Sequence, residues 1–435
     1  MKKVTRVVLI VVAALVVVTG GLFAAYKYCF DPHRGEEKDY VISEPLDKSL
    51  TATEFFEDID FAMKRVRERH PAWIEKENAK VGAVEAKYQE ETAKLKESSR
   101  DSFTVLEEWQ VISRILCPLE DGHTYVTMHP EKFYFIDDVA QINGFGMPTK
   151  INDEPIEDVL ARYRELRNCE TEEYVMDRFV SEVLFYEIWL NWVGVDTSNG
   201  VRYYFDTDEG PIFCDYKMVP YDDVKGMTEE SGEWVSYHID ESAGLGIFML
   251  KNCWNDDEYR AKLQEFFEAV NDKKIKNIAL DLRGNGGGNS SVAVEFAGYL
   301  GTSSLKGMPQ HVRYGNLLIK FDNPTFDVKR KSPLYEGNIY VLTNVCTFSS
   351  AMDFAMLLKD NGYASIVGEA PGNRPESYGD DIRFTVPNSK LTLEVSFKRW
   401  FRVDRTQPGD LLSPDYPCES KDALNKVYEL IKGED

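Results

Sequence analysis

The chain has 435 residues, of which 51 are Lys or Arg and 74 are Asp or Glu, which gives a formal net charge of −23. Hydrophobic residues make up 43% and aromatic residues 12%, enough to bury a sizeable core and to exclude a globally disordered chain. The negative charge argues against nucleic-acid binding, because phosphate recognition needs clustered Lys and Arg. One uncharged stretch is long enough to span a bilayer, which excludes a polytopic transporter.

That stretch runs from Val7 to Tyr26 and follows three positive charges. At about 1.5 Å per residue it spans about 30 Å, the hydrocarbon thickness of a bilayer. Preceding positive charge predicts that the amino terminus stays inside and the bulk lies outside the cytoplasm. The run is long for a secretory signal, which favours an uncleaved single-pass anchor over residues 1–30. Secretion after cleavage near Ala24-Ala25 is the alternative.

Seven Cys are spread along the chain, with Cys29 close behind the apolar stretch. No C-x-x-C pattern occurs, so neither a zinc ribbon nor a thioredoxin-type site is supported. Outside a reducing cytosol the other six could pair, but sequence does not reveal the pairing.

Composition and periodicity divide the rest of the chain. Residues 31–50 are polar and predict a tether. Apolar residues at helical spacing then predict helices around 55–66 and 105–116, with a charged, solvated helix over 76–98 between them. We therefore predict a helical subdomain over 51–130, a mixed α+β segment over 131–233 and an α/β core over 234–435.

The core prediction rests on short apolar strands that alternate with helical patterns, which is typical of βα units and a largely parallel sheet. A strictly alternating pair of runs near the end, on either side of Pro387-Asn388-Ser389, predicts a β-hairpin. The predicted strands are 234–239, 245–250, 278–282, 339–343 and 366–367, and the predicted helices include 290–300 and 351–359.

A glycine-rich segment, Asp281–Asn289, follows one buried strand. Its glycines let the backbone bend sharply and point N–H groups at a negative group. A dinucleotide-binding loop is disfavoured, because G-x-G-x-x-G would require glycine where Asn289 stands. A P-loop is also disfavoured, since no Gly-Lys-Ser/Thr follows. A purely structural turn remains the alternative.

A second strand-to-helix junction, Thr347–Asp353, contains two serines. A serine at a helix start can act as a nucleophile in the field of the helix dipole. The alternative is an N-cap, because Ser350 with Asp353 three residues later is close to a capping box. The two roles are compatible.

A serine nucleophile needs a base, and His123 in the turn Asp121-Gly122-His123-Thr124 is the candidate among the six His. Taken alone, a turn histidine is more often a surface residue. The combination of motifs is more specific than any one of them.

Asp281-Leu282-Arg283-x-Asn285-x-Gly287-Gly288 resembles a signature of the tail-specific (C-terminal processing) and tricorn-type serine peptidases. Ser350-Ala351-x-Asp353 resembles their nucleophile motif, and the turn around His123 resembles their upstream His motif. Pro414-Asp415-Tyr416-Pro417 is similar to their closing segment. The clear resemblance covers about 234–418, and it implies a ClpP/crotonase-like ββα catalytic core.

Two features depart from the family pattern. Well-studied tail-specific proteases use a Ser-Lys pair, but no Lys lies between Lys359 and Lys390, and Arg374 cannot act as a base. The tricorn-like branch, with a His base, therefore fits better. The middle segment resembles a PDZ domain only through Ile151-Asn152-Asp153.

The resemblance implies a role for each matching residue. Ser350 would attack a peptide carbonyl, His123 would accept its proton, and Asp410 would orient His123. Backbone N–H groups of the oxyanion hole would come from Gly287, Gly288 and Ala351. Protein or peptide substrates are expected, with no metal and no other cofactor.

The sequence thus predicts a membrane-anchored, extracytoplasmic serine peptidase that acts through an acyl-enzyme. A catalytically inactive relative that binds peptides or serves as a scaffold is the main alternative, and the missing Lys supports it. A crotonase-type acyl-CoA enzyme shares the ββα core but not these motifs.

Overall fold

The computed structural model describes residues 2–75, 78–225 and 233–433. Of the predicted charged helix over 76–98, residues 76 and 77 lie outside the described residues, and α3 covers most of the rest. In chain order the α-helices are α1 Lys2–Ala25, α2 Ala52–Arg69, α3 Ala79–Glu97, α4 Val105–Leu116, α5 Val139–Phe145, α6 Ile156–Leu166, α7 Glu172–Arg178, α8 Glu187–Trp192, α9 Asp257–Asp272, α10 Ser291–Ala297, α11 Ser350–Asp360 and α12 Ala423–Gly433.

The β-strands before residue 200 are two or three residues long, and those after it range from two to nine residues. They are β1 Ser49–Thr51, β2 Ser102–Thr104, β3 Tyr125–Thr127, β4 Tyr134–Ile136, β5 Lys150–Ile151, β6 Glu154–Pro155, β7 Val201–Thr207, β8 Gly210–Tyr216, β9 Met218–Pro220, β10 Val235–Asp240, β11 Leu245–Leu250, β12 Asn277–Asp281, β13 Ser304–Lys306, β14 Gln310–Tyr314, β15 Leu317–Phe321, β16 Thr325–Asp327, β17 Asn338–Thr343, β18 Ser365–Gly368, β19 Ser377–Thr385, β20 Thr392–Trp400 and β21 Tyr416–Pro417.

The core is a six-stranded sheet in the order β10-β11-β12-β17-β18-β21. β10 and β11 pair antiparallel, and the following neighbours pair parallel. Because side chains alternate between the faces of a strand, both faces of this apolar sheet need cover. Helices α9, α10 and α11 pack on one face and α12 packs on the other. The predicted α/β fold class is confirmed.

The glycine-rich junction and the serine-containing junction both lie at one edge of this sheet. Strands β12 and β17 are parallel neighbours, with Asp281 opposite Leu342 in the register. The loop after each strand therefore leaves from the same carboxyl edge, where ligands of open α/β sheets usually bind. The glycine-rich loop and the serine-containing loop are thus brought side by side.

The helical subdomain is fixed to a second sheet, in the order β15-β14-β20-β19, through β3, which pairs with β20. Capping boxes at Thr51 and Thr104 start α2 and α4 by satisfying the first backbone N–H groups. The Trp109 indole N–H of α4 donates to the carbonyl of Val126 in β3 (2.9 Å). This packing places the turn before β3 next to the core.

The middle segment forms its own small sheet, in the order β6-β5-β7-β8, with α6 following β6 directly. Strands β5 and β6 form a tight hairpin around Asn152 and Asp153. The boundaries proposed for the domains stay a prediction.

Residues 31–48, which make up most of the predicted tether over 31–50, lie against the β19–β20 hairpin. The Glu37 N–H donates to the carbonyl of Arg383 (3.0 Å), and the Arg383 guanidinium lies 3.6 Å from the centre of the Tyr40 ring. Further along, the Ser43 N–H donates to the carbonyl of His129 (2.9 Å). The segment is therefore packed on the body of the protein.

The amino-terminal helix is apolar and its described side chains are exposed. Residues Val11–Phe30 have the length and the apolar composition of a membrane span. A signal sequence would have the same character, so this finding gives weak support to a membrane span.

Candidate active site

Ser349 occupies the sharp turn between β17 and α11. Its backbone has φ 51° and ψ −126°, a strained conformation for a residue with a side chain. It precedes the first helical residue, yet its hydroxyl does not cap the helix. The Ser349 N–H donates to Oδ1 of the buried Asn373 (2.9 Å), which holds the turn in place. This geometry turns the hydroxyl away from the helix and towards the second sheet.

The imidazole of His123 contacts the Ser349 hydroxyl. Its Nε2 lies 3.0 Å from Ser349 Oγ, within hydrogen-bond distance. The imidazole packs on the ring of Phe348, with 5.1 Å between ring centres, and Phe348 stacks in turn on Tyr174. A serine hydroxyl and a histidine ring from distant parts of the chain are thus held in contact.

A buried carboxylate, Asp121, shapes the turn that carries His123. Its Oδ1 accepts the His123 backbone N–H (3.0 Å). Its Oδ2 is shared by three groups, namely the hydroxyls of Thr124 (2.5 Å) and Ser396 (2.8 Å) and the imidazole Nε2 of His70 (3.1 Å). Burial alone would raise the pKa of Asp121, but the hydrogen bond and charge of His70 outweigh it and hold the pKa below its ordinary value.

The glycine-rich loop passes directly beside Ser349. Gly287 has φ 106°, and a Cβ on it would lie 2.8 Å from the Ser349 Cβ and 3.0 Å from the Ser350 nitrogen. Gly288 has φ 136°, and its Cβ would lie 2.6 Å from the Cys253 carbonyl oxygen. Only glycine fits at both positions without strain, because the backbone conformation and the close approach both exclude a side chain.

Ser350, the predicted nucleophile, has a different role in the structure. Its hydroxyl is buried and donates to the Gly288 carbonyl (2.9 Å), and the Ser290 hydroxyl lies 2.9 Å from it. Ser290 also lies 3.1 Å from a carboxylate oxygen of Asp353, whose pKa is raised by burial to about 7. The predicted pairing of Ser350 with His123 is therefore corrected by one residue: the hydroxyl beside His123 belongs to Ser349, because helix α11 begins one residue earlier than predicted and turns Ser350 towards the glycine loop.

The amide groups predicted for the oxyanion hole are only partly available. The Ala351 N–H donates to the Phe348 carbonyl (3.1 Å), and the Gly287 N–H donates to Asn285 Oδ1 (2.9 Å). Within the part of the chain that the structure describes, the N–H groups of Gly288 and Ser350 donate to no acceptor. The Ser350 amide follows Ser349 directly in the chain, and Gly288 follows Gly287, the glycine that lies against Ser349.

Residues 245–417, which include Ser349 and the glycine loop, match peptidase family S41. The chain carries an S41 peptidase domain. The predicted family is thereby confirmed, and with it the general assignment to serine peptidases. His123 lies upstream of the matched segment.

Solved structures share the fold over most of the chain, whereas no curated protein matches it significantly. Mature CPAF complexed with lactacystin has a TM-score of 0.62 at 13% identity, covering 88% of this chain and 97% of that one. A putative peptidase from Parabacteroides merdae has a TM-score of 0.50 at 13% identity, covering 88% and 97%. The common fold therefore extends beyond the S41 domain into the regions that precede it.

A cleft of about 1070 Å³ lies between the S41 domain and the helical subdomain. Asp410, predicted to orient His123, lines this cleft, and among the described residues no hydrogen bond or ion pair joins it to His123. The prediction for Asp410 is thus not matched by the geometry. Glu170, from the loop between α6 and α7, lines the same cleft and lies close to His123.

Asp121, His123 and Glu170 could also be considered as metal ligands, since one nitrogen or oxygen from each lies within 4.8 Å of the others. The oxygens of Asp121 already accept four hydrogen bonds, and His123 Nε2 already faces Ser349. The arrangement therefore fits proton transfer between a hydroxyl and an imidazole better than it fits metal binding.

The sequence did not reveal Ser349, Asn373 or Glu170. The signal for Ser349 was available in part, because two adjacent serines precede the helix and either could stand at the bend. What decides between them is a positive φ, which sequence does not display. Asn373 and Glu170 belong to no recognised motif and become visible only when the S41 domain is assembled with its neighbours.

Proposed function

We propose that the protein is a membrane-anchored serine endopeptidase that acts outside the cytoplasm, with Ser349 as nucleophile and His123 as general base. The observation that carries the proposal is the 3.0 Å contact between His123 Nε2 and Ser349 Oγ. Its support is the strained turn that exposes Ser349, a device that presents nucleophiles at strand-to-helix turns.

The proposed reaction has two halves. Ser349 Oγ attacks the carbonyl carbon of the scissile peptide bond while its proton passes to His123 Nε2. The tetrahedral intermediate collapses, the C–N bond breaks, and His123 returns the proton to the leaving amine. A water molecule then attacks the Ser349 ester, again with His123 as base, and releases the acid product and the free hydroxyl.

The N–H groups of Ser350 and Gly288 are proposed as the oxyanion hole. They replace the predicted Ala351 and Gly287, whose N–H groups are already engaged. Because Ser349 and not Ser350 is the proposed nucleophile, the amide that follows it in the chain is that of Ser350 and not that of Ala351. A single donor of this kind is worth about 3–4 kcal/mol of transition-state stabilisation, so the direction of these amides matters to the rate.

The cleft that Glu170 lines is proposed as the peptide-binding site. It carries both signs of charge, and several of its charged groups are paired with one another, such as Arg374 with Glu120 (3.2 Å) and Arg399 with Glu75 (3.0 Å). Paired charges leave no strong field of one sign, which suits an extended peptide more than a small ionic substrate.

Membrane attachment through α1 is part of the proposal, and it rests on the apolar, exposed span Val11–Phe30 and on the basic residues before it. Expression of the full chain followed by membrane fractionation and external protease treatment tests it. The body should remain with the membrane and should be degraded from outside intact cells. Recovery of the body in the medium would show that the helix is a cleaved signal.

The nucleophile is tested by a pair of adjacent substitutions. The full chain in detergent is treated with a fluorophosphonate probe, which modifies activated serines. We expect Ser349→Ala to abolish labelling, because the attacking hydroxyl is gone. Ser350→Ala is the matched control, and it should keep labelling because its hydroxyl bonds to a backbone carbonyl and not to His123. Labelling that survives in Ser349→Ala would remove the proposed mechanism, and an unlabelled wild-type protein would favour the inactive relative.

A further inference from the structure

The imidazole of His123 is held on only one side. Its Nε2 faces Ser349, whereas its Nδ1 is buried and has no hydrogen-bond partner within the described residues. A histidine base works efficiently when a second group binds Nδ1–H, because that bond fixes the tautomer and stabilises the imidazolium formed during proton transfer. Within the described residues, no group at hydrogen-bond distance fills this role for His123.

Asp121 is close but is engaged elsewhere. Its Oδ1 lies 3.9 Å from His123 Nδ1, beyond hydrogen-bond distance. That oxygen already accepts the His123 backbone N–H, and the other oxygen accepts three side-chain groups. Reaching Nδ1 would break this network, so Asp121 is better suited to shaping the turn.

Glu170 differs from Asp121 in how its carboxylate is hydrogen-bonded. Its side chain is buried, and neither carboxylate oxygen has a hydrogen bond of normal geometry within the described residues, although the backbone N–H groups of Gly122 and of Glu170 itself lie near enough to lower its pKa. A buried carboxylate held only by such weak contacts is costly, so such a group is expected to have a function. Its Oε2 lies only 2.9 Å from where a Cβ on Gly122 would stand, directly beside the residue that precedes His123.

The backbone around Glu170 is fixed to both sides of the site. The Asn168 side chain accepts the Asp121 N–H (2.7 Å) and donates to the Thr124 carbonyl (2.7 Å), which brackets the turn that carries His123. The Thr171 hydroxyl donates to the carbonyl of Gly372 in the S41 domain (2.7 Å). The loop that carries Glu170 is therefore held in register with the proposed catalytic pair.

We propose that Glu170 is the positioning residue of this site, whose carboxylate accepts the Nδ1–H of His123 and thereby directs Nε2 at Ser349. The inference rests on the proposed function and deepens it. It takes the carboxylate that positions the imidazole from the middle segment, outside the part that matches family S41. A nitrogen of His123 and a carboxylate oxygen of Glu170 lie within 4.8 Å of each other, and hydrogen bonds of this kind tighten when substrate binds.

The charge state of Glu170 predicts how the reaction rate depends on pH. Burial raises the pKa of Glu170 to about 7, while the charge of His123 acts to lower it and that of Asp121 to raise it. Glu120, Arg374, Glu376 and Asp410 border the same cleft. Only the ionised carboxylate stabilises an imidazolium, so the rate should rise as pH passes upward through about 7.

The experiment compares Glu170→Gln and Glu170→Asp in the full chain in detergent. The readout is the second-order rate constant for fluorophosphonate labelling of Ser349, measured from pH 5 to pH 9. Loss of the orienting carboxylate in a serine protease lowers the rate by about 10⁴-fold, so we expect Glu170→Gln to label about 10²- to 10⁴-fold more slowly. In Glu170→Gln the fall in labelling rate at pH values below about 7 (the acid limb of the pH profile) should disappear. Glu170→Asp should restore part of the rate, with its acid limb at a different pH from that of the wild type.

Glu172→Gln serves as the matched control, because this carboxylate is exposed, two residues away and paired with Arg164. It should label like the wild type. Asp410→Asn tests the residue predicted from sequence, and slow labelling by that variant with normal labelling by Glu170→Gln would overturn the inference. Slow labelling by Glu170→Gln with an unchanged pH profile would also overturn it, because that result indicates a structural role.

Failure of the inference and failure of the proposed function give different results. If Ser349→Ala labels normally, the proposed function itself is wrong. If Ser349→Ala is silent and Glu170→Gln labels at the wild-type rate, only the role of Glu170 is wrong. Should Glu170→Gln fail to fold, the pH profile of Glu170→Asp decides, since a displaced acid limb supports the inference and an unchanged one contradicts it.

Discussion

The S41 domain and the regions before it contribute differently to the site. The S41 domain supplies Ser349 and the glycine loop from two parallel strands of one sheet, and its motifs are visible in the sequence. The earlier regions supply His123 and Glu170 from loops that belong to separate sheets and helices. The comparison teaches that a family match can contain the proposed nucleophile and still omit the groups proposed to activate it.

The largest effect on the labelling rate is expected from loss of His123, the residue that the helical subdomain contributes to the site. His123→Ala should lower the labelling rate of Ser349 by about 10⁴-fold or more, because triad members act as a unit and loss of the base alone removes most of the catalysis. The fluorophosphonate rate constant measures it. His129→Ala, six residues further along, is the control and should keep its rate. Normal labelling of His123→Ala would place the entire catalytic apparatus within the S41 domain.

The next effect concerns the contribution of the S41 domain. Gly287→Ala should slow labelling by about 10²-fold or more, because its Cβ would collide with Ser349 and a small misplacement of a reacting atom is costly. The positive φ at this position adds a folding cost of about 1–3 kcal/mol. Gly286→Ala is a close control, since a Cβ on Gly286 would meet nothing within 4 Å. Equal rates for the two variants would contradict the close approach of the loop.

The junction between the two regions is tested through Asp121. Asp121→Asn should destabilise folding by about 2–4 kcal/mol, because an amide nitrogen replaces an oxygen that accepts several donors. Urea unfolding measures this change, with the exposed Asp222→Asn as control. If Asp121→Asn has the same free energy of unfolding as the wild type, the hydrogen bonds to the Asp121 carboxylate do not stabilise the attachment of the His123 turn to β20.

The pH dependence of the same variant follows from the lowered pKa of Asp121. A carboxyl whose folded pKa is depressed contributes stability above its unfolded pKa of about 3.9, and that stability is lost as pH falls below this value. The wild type should therefore lose stability below about pH 4, and Asp121→Asn should lose less over the same window.

The smallest effect concerns the stability of the helical subdomain alone. Burial raises the pKa of Glu108 in α4 to about 9, with the charge of Asp58 as the second cause. Because the folded pKa lies above the unfolded one, this group costs stability increasingly as pH rises from about 4 towards 9. Glu108→Gln should raise the free energy of unfolding at pH 8 by about 2 kcal/mol, with little change at pH 5.

Urea unfolding at the two pH values measures the effect of Glu108→Gln, and the exposed Glu97→Gln is the control. The fluorophosphonate rate should be unaffected. An equal gain in stability at both pH values would show that the change acts through packing and not through ionisation.

Sequence predicted the fold well where one physical signal dominates. The short apolar core strands and the helical spacing in α2, α4 and α11 correspond to the observed elements, because burial determines them. The glycine loop and the turn around His123 were also located correctly, since close backbone approach and a tight turn leave their mark on residue type.

Other features depend on information that no local pattern contains. The choice between Ser349 and Ser350 depends on one positive φ and on where α11 begins. The proximity of Glu170 to His123 depends on how the middle segment packs against the turn, and Glu170 carries no motif. The packing of residues 31–48 escaped prediction for a similar reason, because a polar composition does not reveal that Arg383 lies opposite Tyr40.

That packed amino-terminal segment limits the freedom of the whole molecule. Fully extended, the eighteen residues from 31 to 48 could reach about 60 Å and would let the body rotate freely. Held along the β19–β20 hairpin, they offer no such reach. For the proposed membrane anchor, the cleft would keep a constant height and a constant bearing relative to the lipid, and a substrate would be selected partly by how far its cleavable segment stands from the bilayer.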